Sequence, residues 1–237
     1  MADSREFDVI GMGATGFTGR LVAEHLLARH GAGGDLKWAL AGRNEPRLAE
    51  VRSGLGAQAS ALPLITADSH DRESLDALAQ RTRVICTTVG PYALHGSELV
   101  AACCAHGTDY CDLSGEVPWM RKMIDQHAEA ANKSGARIVH CCGFDSIPSD
   151  MGVWFLQKAA IDKFGKPLER VRLRVKAAKG GLSGGTFASM LNIVEESRRD
   201  PETAKVLKNP FALCPPDHRK GPRQPYVSGP KFDAEIG

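Results

Sequence analysis

The sequence predicts a doubly wound α/β fold, a parallel sheet with helices on both faces, followed by the start of an α+β second domain. Three observations carry that expectation. The run Phe7-Asp-Val-Ile ends in a glycine cluster, Gly11-Met-Gly13-Ala-Thr-Gly16-Phe-Thr-Gly19, and an amphipathic segment follows directly. Strand-like and helix-like segments then alternate six times up to about residue 145, the order of a parallel sheet wound by crossover helices. From Ser149 the pattern changes to a helix and then to Val171-Arg-Leu-Arg-Val-Lys176, where apolar and basic residues alternate. A half-buried strand of an antiparallel sheet reads that way. The expected division is residues 1–148 for the parallel-sheet domain and 149–237 for a partial α+β domain of substrate-binding or dimerisation type.

With 237 residues, 43% of them apolar, the chain can bury a sizeable core. A net charge of +2, with acids and bases interspersed, gives no electrostatic case for nucleic acid. Met-Ala-Asp-Ser-Arg-Glu runs straight into the first strand, so no secretory signal is expected. The sequence holds no apolar run of the roughly 18 residues that a membrane span needs. A cytoplasmic protein is therefore expected. Cysteines agree: Cys103-Cys104 and Cys141-Cys142 are adjacent pairs, and Cys86, Cys111 and Cys214 stand alone, with no C-x-x-C among them. No metal site follows from that spacing, and the thiols read as small buried hydrophobes in a reducing compartment.

The glycine cluster has G-x-G-x-x-G spacing between a strand and a helix, the context a dinucleotide-binding βαβ unit requires. In that reading Gly11 allows the tight turn, Gly13 lets backbone approach the pyrophosphate, and Gly16 permits close helix–strand packing. Gly11, Gly13, Ala14, Thr15, Gly16, Phe17 and Thr18 are the candidate phosphate cradle, with free N–H groups at the helix N-terminus to receive the charge. Phe17, Leu21, Val22 and Leu26 recur at helical spacing and are expected to form the helix's buried face. Leu36–Ala41 is the second strand, closing on Gly42-Arg43. An NAD-selective site carries an acid near this junction. Here a guanidinium stands instead, which suits the 2′-phosphate of NADP(H).

Leu48–Leu55 reads as a helix, Leu62–Ala67 as the third strand, and Arg72–Arg81 as a helix capped by Ser69 or Asp71. Asp68 is placed either near the adenine or in a turn. The fourth strand, Val84–Val89, runs into Gly90-Pro91-Tyr92, and residues past the carboxyl ends of such strands face the ligand. Tyr92 and His95 are the first side chains that could reach a nicotinamide. A helix over Ser97–His106, a strand over Thr108–Leu113, a helix from Pro118 to about Ser134 and a strand over Ala136–Cys142 follow. Asp145 and Ser146 lie in the polar loop beyond, before a helix over Met151–Ala160. Gly180–Thr186 reads as a flexible loop that opens a further helix carrying Met190, Leu191 and Val194. The last 37 residues hold seven prolines and no periodic pattern, so no closing element is expected there.

Six motifs in order, GMGATGFTG, LAGRN, TTVGPY, GTDYCDLSGE, CGFDSIPSD and LSGGT, resemble the saccharopine dehydrogenase-like oxidoreductases, and within them the mycobacterial-type trans-acting enoyl reductases. The resemblance covers roughly residues 5–200. It implies a Rossmann domain, an NADP(H) cofactor, and an inserted α+β domain for substrate binding and dimerisation. By the same resemblance Gly11, Gly13, Gly16 and Gly19 form the phosphate loop, Arg43 meets the 2′-phosphate, and Gly90, Pro91 and Tyr92 lie beside the nicotinamide ribose. Family members continue well beyond this length.

Enoyl reductases deliver hydride to the β-carbon of an unsaturated thioester, which needs an enolate stabiliser and a proton source at the α-carbon. Tyr92, His95, Asp145 and Ser146 are the candidates, each with a structural alternative: Tyr92 as packing under the cofactor, Asp145 and Ser146 as helix caps. Ser183 and Thr186 are weaker ones. The substrate that the resemblance implies is a lipid or polyketide acyl group, free or on a carrier protein. A saccharopine-type substrate would need a basic cluster for its carboxylates, and none is evident. The missing Tyr-x-x-x-Lys counts against the short-chain dehydrogenases: Tyr92, Tyr110 and Tyr226 are followed at that spacing by Gly96, Ser114 and Pro230. An NADP(H)-binding redox sensor without turnover remains as the non-enzymatic alternative.

Overall fold

The structure, a computed structural model, describes residues 5–177, 179–181 and 183–221. Six strands, β1 (Phe7–Met12), β2 (Trp38–Gly42), β3 (Leu64–Thr66), β4 (Thr82–Thr87), β5 (Asp109–Cys111) and β6 (Ile138–Val139), form one sheet. Every pairing is parallel, in the order β3-β2-β1-β4-β5-β6. The strand order reverses between β1 and β4, so their carboxyl ends open a crevice where ligands of such sheets bind.

Helices α1 (Phe17–His30) and α2 (Glu45–Gly54) cover one face; α3 (Arg72–Gln80), α5 (Ser97–His106) and α6 (Val117–Ser134) cover the other. A single helical turn, α4 (Tyr92–His95), precedes α5. All five residues of β2 are buried, as expected of a strand covered on both faces. Trp38 and Leu40 pack with Ala23, Leu27, Leu48 and Val51 on one side. Ala39 and Ala41 join Ile10, Ile85, Leu75 and Leu99 on the other. Helix starts follow their caps: Asn44 Oδ1 accepts from the Arg47 N–H (3.0 Å) at α2 and Asp71 Oδ1 from the Glu73 N–H (3.1 Å) at α3. At the amino-terminal edge, Arg5 donates to Thr82 O (2.5 Å), Thr108 Oγ1 (2.5 Å) and His106 O (2.6 Å). These charge-assisted bonds tie the starts of β4 and β5 together.

Several expectations need correction. The buried stripe of α1 is Gly19, Ala23 and Leu27, whereas Phe17 and Leu21 are exposed. Small residues three to four apart let the helix lie close on the sheet, and the larger side chains are turned to its flank. Residues 171–176 form no strand, and Leu173 and Val175 stand exposed; no described segment pairs with them to supply a ladder. The sixth strand is shorter than the sequence suggests because Asp112 captures the chain beyond it, accepting from the Cys141 N–H at Oδ1 (3.1 Å) and from the Cys142 N–H at its carbonyl (2.6 Å). Its helix, α7 (Ile147–Phe164), starts earlier than expected and absorbs Pro148, Ser149 and Asp150. Beyond α8 (Gly184–Arg199), the aperiodic tail contains α9 (Pro201–Lys208), capped by Asp200, whose carboxylate accepts from the N–H groups of Glu202 (3.0 Å) and Thr203 (3.2 Å). Only Cys103 and Cys104 of the seven free cysteines are fully buried, and Cys142 is exposed. Residues 222–237, part of the proline-rich tail, lie outside the described residues.

Candidate functional site

Past the ends of β1 and β4 the chain backbones run side by side, with the Thr88 N–H donating to Met12 O (3.0 Å). Here Gly11 does not have the turn role expected of it. Gly11 sits inside β1, where a Cβ would make only ordinary contact with Ala39 O at 3.8 Å. The tight turn belongs to Gly13, at φ +91°, where a Cβ would meet Val89 Cγ2 at 2.8 Å and Thr88 Oγ1 at 2.9 Å. Close helix–loop packing belongs to Gly19, where a Cβ would run into the Gly13 carbonyl. Gly16 is the N-cap of α1, has no capping side chain, and is exposed. The first turn of α1 carries no acidic residue, so its N–H groups and the positive end of its dipole are open to an anion. That cradle fits a dinucleotide diphosphate.

Two clefts adjoin this loop. The first, of about 300 Å³, is lined by Gly13, Thr15, Gly16, Gly42, Arg43, Ser69, Val89 and His95 among others. A second, of about 500 Å³, runs from Phe17 and Thr18 past Tyr92, Leu113, Gly115, Glu116 and Asp145 to α8, which contributes Ser189, Met190 and Ile193. Gly16, Thr88 and Gly90 line both. The two spaces therefore meet over the glycine loop, as the two halves of a dinucleotide would require.

The candidate residues separate between these clefts. Arg43 is exposed on the wall of the first. Asp68 takes the turn role, its Oδ1 accepting from the His70 N–H (2.9 Å), while the neighbouring Ser69 lines the cleft. His95 stands with Arg43 in the first cleft and does not line the second. Tyr92 is buried, stacked on Trp119 at 5.5 Å, and its hydroxyl faces into the fold. The hydroxyl donates to Thr87 O (3.3 Å) and accepts from the Leu113 N–H (3.4 Å). Burial, with Asp112 adding to it, pushes that hydroxyl far above the ordinary tyrosine range. Asp145 lines the second cleft; Ser146 does not, and its side chain makes no cap bond to α7. Pro91, in cis after Gly90, is the N-cap of α4.

Glu116 has no role in the sequence reading and lines the second cleft. It is 2% exposed. Its Oε1 accepts from the Tyr92 N–H (2.7 Å) and the Ser189 hydroxyl (2.7 Å), and its Oε2 from the Ala93 N–H (2.9 Å). One carboxylate thus joins the turn after β4 to α8. The signal available in the sequence was only its place just beyond β5, where a parallel sheet presents side chains to a ligand.

A glycine loop, an arginine at the end of β2 and two joined clefts at the switch point define a nicotinamide dinucleotide-binding domain of the oxidoreductase type. The chain belongs to the saccharopine dehydrogenase NADP-binding domain family, whose model matches residues 9–139. NADP(H) is accordingly its nucleotide. Among curated relatives, a Mycobacterium tuberculosis protein provisionally named a trans-acting enoyl reductase is 49% identical over 214 residues, covering 90% of this chain and 50% of that protein. The Mycobacterium leprae trans-acting enoyl reductase is 42% identical over 212 residues, covering 89% of this chain and 50% of that one. This chain spans about half the length of these curated relatives. The solved apo structure of the L-Glu-forming saccharopine dehydrogenase from Saccharomyces cerevisiae matches with a TM-score of 0.51 at 20% identity, over 67% of this chain and 32% of that one. That likeness supports the fold.

Proposed function

We propose that this chain is the nucleotide-binding part of an NADPH-dependent enoyl reductase that reduces the double bond of a lipid or polyketide acyl thioester presented by a carrier protein. One observation carries the choice of substrate class. The described residues lining the second cleft include the carboxyl groups of Glu116 and Asp145 and no lysine, arginine or histidine. A substrate with several carboxylates would meet like charge there and no cation. A neutral acyl chain would meet Phe17, Leu113, Met190 and Ile193.

When bound, NADPH supplies the hydride for the β-carbon. The electron pair moves to the thioester oxygen, and the α-carbon takes a proton. Ser183 and Thr186 bring hydroxyls to the cleft and Asp145 a carboxyl; these are the candidate proton donors and oxygen contacts, while the Ser189 proton is held by Glu116. Glu116 positions Ser189 and the Gly90–Tyr92 turn. Tyr92, with its hydroxyl held by Thr87 and Leu113, supports that turn by packing. The same reading places residues 149–237 in a substrate-binding and dimerisation domain, in keeping with the exposed Met151, Trp154, Phe155 and Phe164 of α7. It also places the protein in the cytoplasm, where its seven free thiols stay reduced. Among the described residues no helix is long and apolar enough to cross a membrane.

Supplying 4-deuterated NADPH with a medium-chain enoyl thioester tests this reading. The expected product carries one deuterium at the β-carbon. Oxidation of NADPH by an imine of two amino acids, with no turnover of the thioester, would overturn the substrate assignment.

A further inference from the structure

His95, on the wall of the first cleft, is paired with His70, and the nucleotide assignment leaves that pair without a role. His70 Nε2 and His95 Nδ1 lie 2.9 Å apart, with ring planes at 75°. His95 lines the cleft with Arg43 and Ser69. His70 stands on the turn between β3 and α3, whose shape is held by its own N–H donating to Asp68 Oδ1. His95 is bonded through Nδ1, and its Nε2 makes no hydrogen bond to a described residue.

Two imidazoles joined by one N–H···N bond have one outer nitrogen protonated and the other bare. Whichever ring donates in the link, one added proton makes both outer nitrogens donors. His95 Nε2 then presents an N–H, and the pair carries a positive charge beside Arg43. A doubly ionised phosphate is the ligand that such a constellation fits. We propose that the His70–His95 pair is a second contact for the 2′-phosphate of NADP(H) beside Arg43, so that the pair takes up a proton as the cofactor binds and the preference for NADP(H) over NAD(H) grows as pH falls through neutrality. The inference rests on the NADP(H) assignment of this cleft.

The charged groups around His95 set the direction. Burial, then His70, then Arg43 hold it below the usual histidine range, against the carboxylates of Asp68 and Glu116. Free His95 is therefore held toward its neutral form. A phosphate dianion opposes the field of Arg43 and raises the bound-state value above the free one. Added affinity is then complete below the free-state pKa and lost as pH rises through the bound-state pKa.

Calorimetry with 2′,5′-ADP and 5′-AMP tests this, at about pH 6.5 and pH 8 in buffers of different ionisation heat. The chain itself, His95→Gln and His70→Gln are compared; the ligand's own phosphate titration is common to all three. The expected result is proton uptake with 2′,5′-ADP and none with 5′-AMP in the unsubstituted chain. His95→Gln should lose about tenfold in 2′,5′-ADP affinity at the lower pH and about twofold at the higher. His95→Gln should abolish the proton uptake and His70→Gln should reduce it, and 5′-AMP affinity should be unchanged in both variants. Equal losses for the two ligands would make the pair a wall for the adenosine and overturn the proposal, as would binding without proton uptake. Failure of the unsubstituted chain to bind 2′,5′-ADP would overturn the cofactor assignment, and this inference with it.

Discussion

Gly13→Val is expected to weaken NADPH binding by more than about a hundredfold. Two independent causes combine. Gly13 has φ +91°, a conformation that costs a β-branched residue on the order of 1–3 kcal/mol. Its Cβ would also stand 2.8 Å from Val89 Cγ2 and 2.9 Å from Thr88 Oγ1, so the end of β4 must shift. Thr88 lines both clefts and Val89 the first, so that shift deforms the floor on which the dinucleotide lies. Equilibrium titration against the unsubstituted chain checks the affinity, and circular dichroism checks that the sheet survives. By contrast, a Cβ at Gly11 meets only ordinary contact, and Gly11→Ala should leave binding within about threefold.

Glu116→Ala is the second large effect. The substitution removes the acceptor for the Tyr92 N–H, the Ala93 N–H and the Ser189 hydroxyl in a site that is 2% exposed. Orphaning buried donors costs about 1–3 kcal/mol each where water cannot replace the partner. A total of roughly 3–5 kcal/mol is expected after local relaxation, read as a lower urea midpoint at unchanged slope. Glu116→Gln keeps the shape and one acceptor oxygen, and is expected to cost about 1–2 kcal/mol. At this milder variant hydride transfer to a thioester should fall at least about tenfold while NADPH affinity changes by less than about threefold. Glu116 adjoins the second cleft and not the first, so a residue that positions α8 against the turn should separate those two quantities. Parallel loss of both would mean that Glu116 serves only stability.

Local patterns carried most of the fold into the sequence. The apolar runs of β1, β2 and β4, the glycine loop and the cap residues Asn44 and Asp71 each act within a few neighbours. Where the sequence misled, the deciding physics was not local. α1 presents Gly19 and Ala23 to the sheet because only small residues allow that approach, whereas a search for large apolar residues selects Phe17 and Leu21. The alternation at 171–176 implies a strand only where a partner strand pairs with it. α9 is legible in Asp200-Pro201-Glu202, an N-cap followed by proline in the first turn, a local signal that apolar periodicity does not carry.

For the site, the glycine loop and Arg43 could be read directly, while the arrangement around them could not. Glu116 meets Ser189 across 73 positions, and His70 meets His95 across 25. Nothing local shows that the Tyr92 hydroxyl turns toward Thr87 while its ring stacks on Trp119. Tertiary packing thus moved one candidate proton donor into the fold and another, His95, into the nucleotide cleft.

A fluorescence titration of the chain with NADPH and with NADH, repeated on Arg43→Ala, tests the central claim most directly. The expected result is micromolar NADPH binding with enhanced, blue-shifted nicotinamide emission as the ring enters the second cleft. NADH binding should be at least about tenfold weaker, and Arg43→Ala should bring the two together. Equal affinity for both nucleotides in the unsubstituted chain, or binding that leaves the nicotinamide emission unchanged, would contradict the placement of NADP(H) across the two clefts.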